Sequence, residues 1–428
     1  MSVKVEQNPD HVKARTFFRR ILSYGNDAKA STLVVCHLVD SAIAFIPALD
    51  ERYHIQAFLG KPSSIQAEAS QFLSAALPGK EHHLDKGVLK IDPSSVIREV
   101  FPSRRGITPE DVVILDIGGY FAQGSSNGKP GLVSVREELE ERGYRLAGIV
   151  EDTQNGEHRY RDVLRDLGPN GRFTVYSVAR SPLKRPENHL VGVAISFSVE
   201  AILRQSNIVL QSRRAGVIGF GPIGRSVSHS LRNRGIPVSV CERDPIQLAT
   251  GAAQGFRVFD YEHHFEEFVR DLNLIVSATG AGASASGIRP INAQTIRYLP
   301  EGAYIASVTS QDDEIALEEI LVQGAEGYSR RPVRYNPAIE HLTRTDENGN
   351  EHGLYLMGHG NAINFEHGGV IGPAIQLLQG EILACVNHIL SDKAVPSDQV
   401  QELPDSERER VARAWLDQYM SDTSVILH

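Results

Sequence analysis

The chain has 428 residues, 44 Lys and Arg against 53 Asp and Glu, and a formal net charge of −9; 41% of it is hydrophobic and 23% charged. This length exceeds one ordinary core, so two domains are expected of an otherwise average globular composition. The mild acidity, without a basic stripe, excludes a nucleic-acid footprint, and no stretch approaches the roughly 18 uninterrupted apolar residues of a membrane span.

MSVKVEQNPDHVKARTFFRR lacks the apolar stretch of a secretory signal. Cys36, Cys241 and Cys385 stand far apart in apolar settings. They have no metal-ligand spacing and read as reduced, buried thiols, so no metal centre and a cytoplasmic location are expected.

Short apolar runs alternating with amphipathic stretches predict an α/β fold of two doubly wound parallel-sheet domains, the second a Rossmann domain. TLVVCHL (32–38), HIQAFLG (54–60), VVILDI (112–117), RLAGIVE (145–151) and FTVYSV (173–178) read as buried strands. DSAIAFIPALDE, SSIQAEASQFLSAAL (63–77) and SVREELEERGY read as the helices between them. Near residue 180 the texture changes: Pro186 suits the first turn of a long helix, ENHLVGVAISFSVEAILRQ, read as a hinge or as an ordinary packing helix. The expected organisation is a substrate domain over 1–186, with 366–395 returning to it, a Rossmann domain over 187–365, and a C-terminal tail over 396–428. HLTRTDENGNEHGLYLMG reads as a hairpin turning at Asn348-Gly349.

AGVIGF, PIGRSVSHSLRNRG and IPVSVCER make a strand–helix–strand unit whose turn holds Gly219, Gly221 and Gly224, with Pro222 and Ile223 between them. In G-x-G-x-x-G the first glycine allows the tight turn, the second lets a pyrophosphate approach, and the third lets helix and strand pack closely. Roughly twenty residues on, Glu242 can hold both ribose hydroxyls, which favours NAD over NADP, while Arg243 is of a type that can hold a 2′-phosphate. SATGAG, with Thr279 and Gly280, is a further turn facing the dinucleotide.

These pieces resemble the S-adenosylhomocysteine hydrolase family. GIVEDTQNGEHRY is similar to its S-E-E-T-T-T-G-V-H-R, and LDIGGY stands where it has L-D-D-G-G-D. FGPIGRSVSHSLRNRGIPVSVCERDPI follows its Rossmann segment, and VCHLVDSAIAFIPAL its C-L-H-M-T-V-E-T-A-V-L-I-E-T-L. The resemblance implies transient oxidation of a substrate hydroxyl by tightly held NAD. It further implies acid–base chemistry at His37, a lysine beside the hydroxyl at Lys184, and a ribose-gripping carboxylate at Asp152. Thr153, Gln154 and Asn155 stand for three cofactor-touching threonines, and Asn364 for the asparagine at the nicotinamide amide.

Departures are as telling. Ile117 replaces a catalytic aspartate, and Val39 and Ser41 the two side chains that read the adenine edge. Asn188 replaces the aspartate partnered with the lysine and His189 the asparagine after it, both counted in the candidate cleft. Without that aspartate, Lys184 is expected to deprotonate more easily. Ser310 replaces a histidine, and SDTSVILH lacks the family's cofactor-contacting lysine and tyrosine. The expectation is an NAD-dependent enzyme with a changed pocket, oxidising a hydroxyl on a nucleoside or polyol-like small molecule that enters between domains. A genuine diverged adenosylhomocysteinase and a non-catalytic NAD-binding regulatory or scaffold protein remain as alternatives. A homo-oligomer is expected, with no nucleic-acid or membrane partner.

Overall fold

The computed structural model describes residues 8–104, 106–122, 124–126, 129–280, 289–309, 311–322, 327–345, 348–370, 372–391 and 393–420. Ser310 and the final SDTSVILH lie outside the described residues. The chain divides into two compact units, residues 1–184 with 371–428, and residues 185–370.

The first unit opens with α1 (Pro9–Leu22), whose N-cap Asn8 accepts from Asp10 N and whose first position is proline. Ala14, Phe17, Phe18 and Ile21 form its buried face. Then follow β1 (Ala30–Leu38), α2 (Ala42–Arg52), β2 (His54–Ile65), α3 (Ala67–Ala76), β3 (Glu81–His83), β4 (Glu110–Asp116), α4 (Gly131–Glu141), β5 (Tyr144–Glu151), α5 (Gln154–Leu167) and β6 (Val175–Ser177). The sheet order is β3-β2-β1-β4-β5-β6, with every pair parallel. The unbroken apolar core of β1 suits a central strand covered on both faces. Strand order reverses between β1 and β4, and ligands of such sheets bind outside the carboxyl ends at that point. One expectation is corrected here. Ser63–Ile65 belong to β2, not to a helix, because Gln66 N donates to Leu38 O (2.8 Å) and keeps the chain extended.

The second unit begins with α6 (Arg185–Gln205), which is integral to it: Ile195, Val199 and Ile202 join Val217, Val227 and Leu231 in one core. Gly192 lets the next helix approach, since a Cβ there would run into the Ser226 side chain. The unit continues with β7 (Ala215–Ile218), α7 (Pro222–Asn233), β8 (Val238–Glu242), α8 (Pro245–Ala253), β9 (Arg257–Asp260), α9 (Tyr261–Val269), β10 (Leu274–Ser277), β11 (Tyr304–Ser307), β12 (Ser329–Val333), β13 (Asn336–Thr345) and β14 (Glu351–Met357). The order is β9-β8-β7-β10-β11-β14-β13-β12. Six parallel strands carry the Rossmann winding, and β13 and β12 extend them antiparallel. The expected hairpin is β13–β14, with Gly349 at φ +82°. Edge strand β12 carries Arg330, Arg331 and Pro332, residues that discourage further pairing.

The chain then returns to the first unit as α10 (Pro373–Ile389) and α11 (Asp405–Met420). Helix α10 is buried nearly all round, and Gly380 admits the Phe17 ring, which a Cβ would meet at 2.6 Å. Ser397 and Gln401 bridge to Phe173 and Tyr176 at the β6 edge. Among the described residues no helix is long and apolar enough to cross a membrane.

Candidate active site and dinucleotide site

At the switch point of the first unit, His37 is the last residue but one of β1, β4 ends in Asp116, and β5 ends in Glu151 with Asp152 next after it. His37 Nδ1 shares a 2.5 Å hydrogen bond with Ser64 Oγ. Burial, then the nearby Lys61 and Lys184 ammonium groups, pushes the His37 imidazole well below its ordinary range, so it is neutral at pH 7. Lys184, buried in a 3-10 turn, donates to Asp152 Oδ1 at 2.6 Å. The expectation that Lys184 has lost its carboxylate is thereby corrected. Asn188 cannot supply one, but Asp152 does.

The turn bearing Lys184 is fixed from the returning segment. Ser181 Oγ donates to Glu381 Oε2 (2.5 Å), Arg408 Nε donates to Glu381 Oε1 (2.9 Å), and Lys184 N donates to Ser181 O (3.1 Å). Nothing in the sequence pointed to Glu381 as this support, because its partners lie 200 and 27 residues away.

Behind Asp152 lie two buried carboxyls that sequence reasoning missed. Asp116 Oδ2 accepts from Phe121 N (2.8 Å) and Tyr160 Oη (2.6 Å). Glu151 accepts from Gly118 N, Asp152 N, Thr153 N and Thr153 Oγ1. These donors favour a charged Glu151, yet burial and the Asp116 carboxyl outweigh them and push it up to about 8. Both residues sit inside the two family-like motifs, LDIGGY and GIVEDTQNGEHRY, which was the signal available.

Thr153, Gln154 and Asn155 also lie in the first unit, at the start of α5. Thr153 caps that helix, accepting from Gly156 N (3.0 Å). Gly156 is obligatory, since a Cβ there would run into the Glu151 carboxyl. Ile117, just beyond β4, and Val39, just beyond β1, are buried apolar groups. Asn188 and His189 belong to the first turns of α6 in the second unit, where His189 O accepts from Ser226 Oγ (2.6 Å) and the His189 side chain is exposed.

In the second unit the glycine turn joins β7 to α7. Gly219 takes φ +93°, and a Cβ would meet Ala278 O at 2.7 Å. At Gly224 a Cβ would collide with Gly219 O. Gly221, the N-cap of α7, has open space where its Cβ would stand, and Pro222 and Ile223 open the helix behind it. Glu242, ending β8, is aimed at this turn. Its Oε2 accepts from Phe220 N (2.7 Å), and its Oε1 accepts from Arg243 N (2.7 Å) and Asp244 N (3.0 Å). The Arg243 side chain is exposed.

Beyond β10, Thr279 and Gly280 are pinned by buried Glu314, which accepts from Ser277 Oγ (2.5 Å), Thr279 N (3.1 Å) and Gly280 N (2.5 Å). Ala362 bridges to Ser307 at the end of β11, bringing Asn364 beside the carboxyl ends. Asn364 is buried, and its Oδ1 has no hydrogen-bond partner among the described residues. An orphaned amide oxygen is costly unless a ligand satisfies it. That oxygen, the open space at Gly221 and the α7 N-terminus together fit the amide and pyrophosphate of a nicotinamide dinucleotide.

Fold and turn thus define a Rossmann-type NAD-binding protein. Residues 191–367 match the family described as S-adenosyl-L-homocysteine hydrolase, NAD binding domain. An adenosylhomocysteinase of Acinetobacter baylyi is 26% identical over 273 residues, covering 61% of this chain and 54% of that relative, so the chain spans about half the relative's length. Residues 191–367 are thus similar to that family's NAD-binding domain, and the cofactor is NAD. Among solved structures, a dipicolinate synthase chain from Bacillus halodurans superposes with a TM-score of 0.40 at 12% identity, covering 70% of this chain and 92% of that one. A pyruvate reductase of Chlamydomonas reinhardtii gives 0.36 at 13% identity, covering 68% and 72%.

Proposed function

We propose that this protein is an NAD-dependent enzyme that oxidises a hydroxyl, transiently or for net turnover, on a nucleoside or polyol-like small molecule other than S-adenosylhomocysteine. The observation that carries this reading is the Lys184–Asp152 pair, 2.6 Å apart, with neutral His37 at the same switch point and Ile117 and Val39 as apolar neighbours. NAD supplies the hydride acceptor. The protein must take the hydroxyl proton, since releasing it as a free ion into a dry cleft is costly. Lys184 passes its own proton to Asp152 and accepts the hydroxyl's, so one proton ends on the carboxylate while the lysine regains its charge. His37, neutral and held by Ser64, is the second proton-handling group. Isoleucine at 117 can exchange no proton, a loss of roughly 10²–10⁴ in rate for a reaction that needs an acid or base there.

Two measurements test this. Mass spectrometry of small molecules released on denaturation should find NAD, and any ligand that travels with it. Absorbance in the NADH band, followed with a broad panel of nucleosides and polyols, should rise with the true substrate. Lys184→Ala should abolish that rise while NAD binding persists. An alanine variant that reduces NAD at the wild-type rate removes Lys184 from the chemistry. A silent panel favours the scaffold reading, and turnover of S-adenosylhomocysteine near one per second restores the ordinary family reaction.

A further inference from the structure

Each half of the second unit's winding carries a carboxyl group that gathers donors at its strand ends. In the first half Glu242, closing β8, takes Phe220 N, Arg243 N and Asp244 N. In the second half the group is Glu314, fully buried, and its hold is wider. Its Oε2 accepts from Ser277 Oγ (2.5 Å), Thr279 N (3.1 Å) and Thr279 Oγ1 (3.0 Å), and its Oε1 from Gly280 N (2.5 Å) and Thr309 Oγ1 (3.0 Å). Ser277 closes β10 and Thr309 follows β11, so one carboxyl joins the ends of two adjacent strands. The network reaches on to Asn364. Ser307 Oγ donates to Thr309 O (2.9 Å), and Ser307 bridges to Ala362, two residues before the orphaned Asn364 amide oxygen. Strand order reverses between β7 and β10, and a dinucleotide lies across such a point. With the adenosine ribose at Glu242, the nicotinamide half belongs to the ends of β10 and β11.

We propose that Glu314 is a positioning residue for the nicotinamide half of the cofactor, and that its negative charge makes the site favour NAD⁺ over NADH. This role concerns the cofactor alone and does not depend on hydroxyl oxidation. The donor set argues for it. Two of the five donors are backbone N–H groups, which can only donate and so favour a carboxylate over a carboxylic acid. A neutral amide could not satisfy the same set, because one of its two arms is itself a donor and would face another donor. Burial pushes Glu314 up from its ordinary value, and the Ser277, Thr279 and Gly280 donors oppose that rise. Among the described residues no cation pairs with Glu314, so its charge is spread over hydrogen bonds rather than cancelled. The nicotinamide ring is cationic in NAD⁺ and neutral in NADH. A carboxylate shielded from water in the same half therefore stabilises the oxidised form selectively.

The test is calorimetric titration of the full-length protein, freed of bound nucleotide, with NAD⁺, NADH and ADP-ribose, the last of which lacks nicotinamide. Wild type is compared with Glu314→Gln and Glu314→Asp, and thermal melts check folding. Glu314→Gln should weaken NAD⁺ by about tenfold or more and ADP-ribose by less than about threefold. Its loss for NADH should be smaller than its loss for NAD⁺ by about threefold or more. Glu314→Asp keeps the charge but shortens the reach. It should weaken NAD⁺ and NADH together, leaving the ratio of their affinities within about twofold of wild type. In the glutamine variant, equal losses for NAD⁺ and NADH overturn the proposal. So does an ADP-ribose loss as large as the NAD⁺ loss, which marks a merely structural role, and so does unchanged NAD⁺ affinity. If the glutamine variant does not fold, the aspartate variant decides. NAD⁺ affinity left intact, a shifted NAD⁺ to NADH ratio, or ADP-ribose weakened as much as NAD⁺ then overturns the assignment.

Discussion

Single side chains in this protein often serve the fold and a ligand at once. Glu242 accepts from three backbone N–H groups of the turns around it, and it is also the carboxylate expected to hold the cofactor ribose. Glu242→Ala should cost at least about tenfold in NAD affinity, or about 1.4 kcal/mol, and lower the melting temperature. Glu242→Gln, which keeps an acceptor oxygen, should lose affinity with less loss of stability; calorimetry and thermal melting together check both. At the other switch point, Glu151 ionises near 8 in the folded protein against an ordinary value of 4.5. A carboxyl raised on folding binds more protons folded than unfolded between those values, so stability falls as pH rises from about 5 to about 8. Asp116→Asn removes the neighbouring charge and should flatten that decline in thermal melts. An unchanged slope would show that Asp116 does not hold Glu151 up.

At the scale of elements, the β7–α7 turn separates packing from binding. A methyl group at Gly224 would collide with the carbonyl of Gly219, whereas one at Gly221 would meet nothing within 4 Å. Gly224→Ala should therefore destabilise the protein, by about 1–3 kcal/mol for forced overpacking, and lose NAD as well. Gly221→Ala, at φ −65°, should melt like wild type without NAD yet bind NAD more weakly, because its methyl enters the space left for the pyrophosphate. Equal NAD affinity in Gly221→Ala and wild type would move the phosphates elsewhere.

At the scale of the whole chain, residues 371–428 complete the first unit and brace its site. Buried Glu381 joins Ser181, in the loop that follows β6, to Arg408 on α11. Arg408 keeps Glu402 and Asp405 when Glu381 is removed, so Glu381→Ala strands no charge but forfeits the bonds to both Ser181 and Arg408. It should cost more than Ser181→Ala, which forfeits a neutral donor at about 1–3 kcal/mol. Both should also slow any reduction of NAD, since the Lys184 turn loses its support; stopped-flow absorbance beside urea melts distinguishes this from simple unfolding.

What the sequence determined by itself is what short-range rules encode. The alternation of buried runs and amphipathic helices set the two wound sheets, and the spacing of Gly219, Gly221, Gly224 and Glu242 set the dinucleotide turn, because sterics and hydrogen bonding there act within one strand–helix–strand unit. Extended residues at 63–65 escaped the periodicity because a neighbouring strand, through Leu38 O, decides their state. Only the tertiary structure gave Lys184 the carboxylate of Asp152, 32 residues away, after the local pattern at Asn188 had denied it one. It alone tied the Lys184 turn to Glu381, 200 residues from Ser181. Charge pairing and burial depend on distance in space, and a linear pattern carries that distance only where the chain folds back on itself at once.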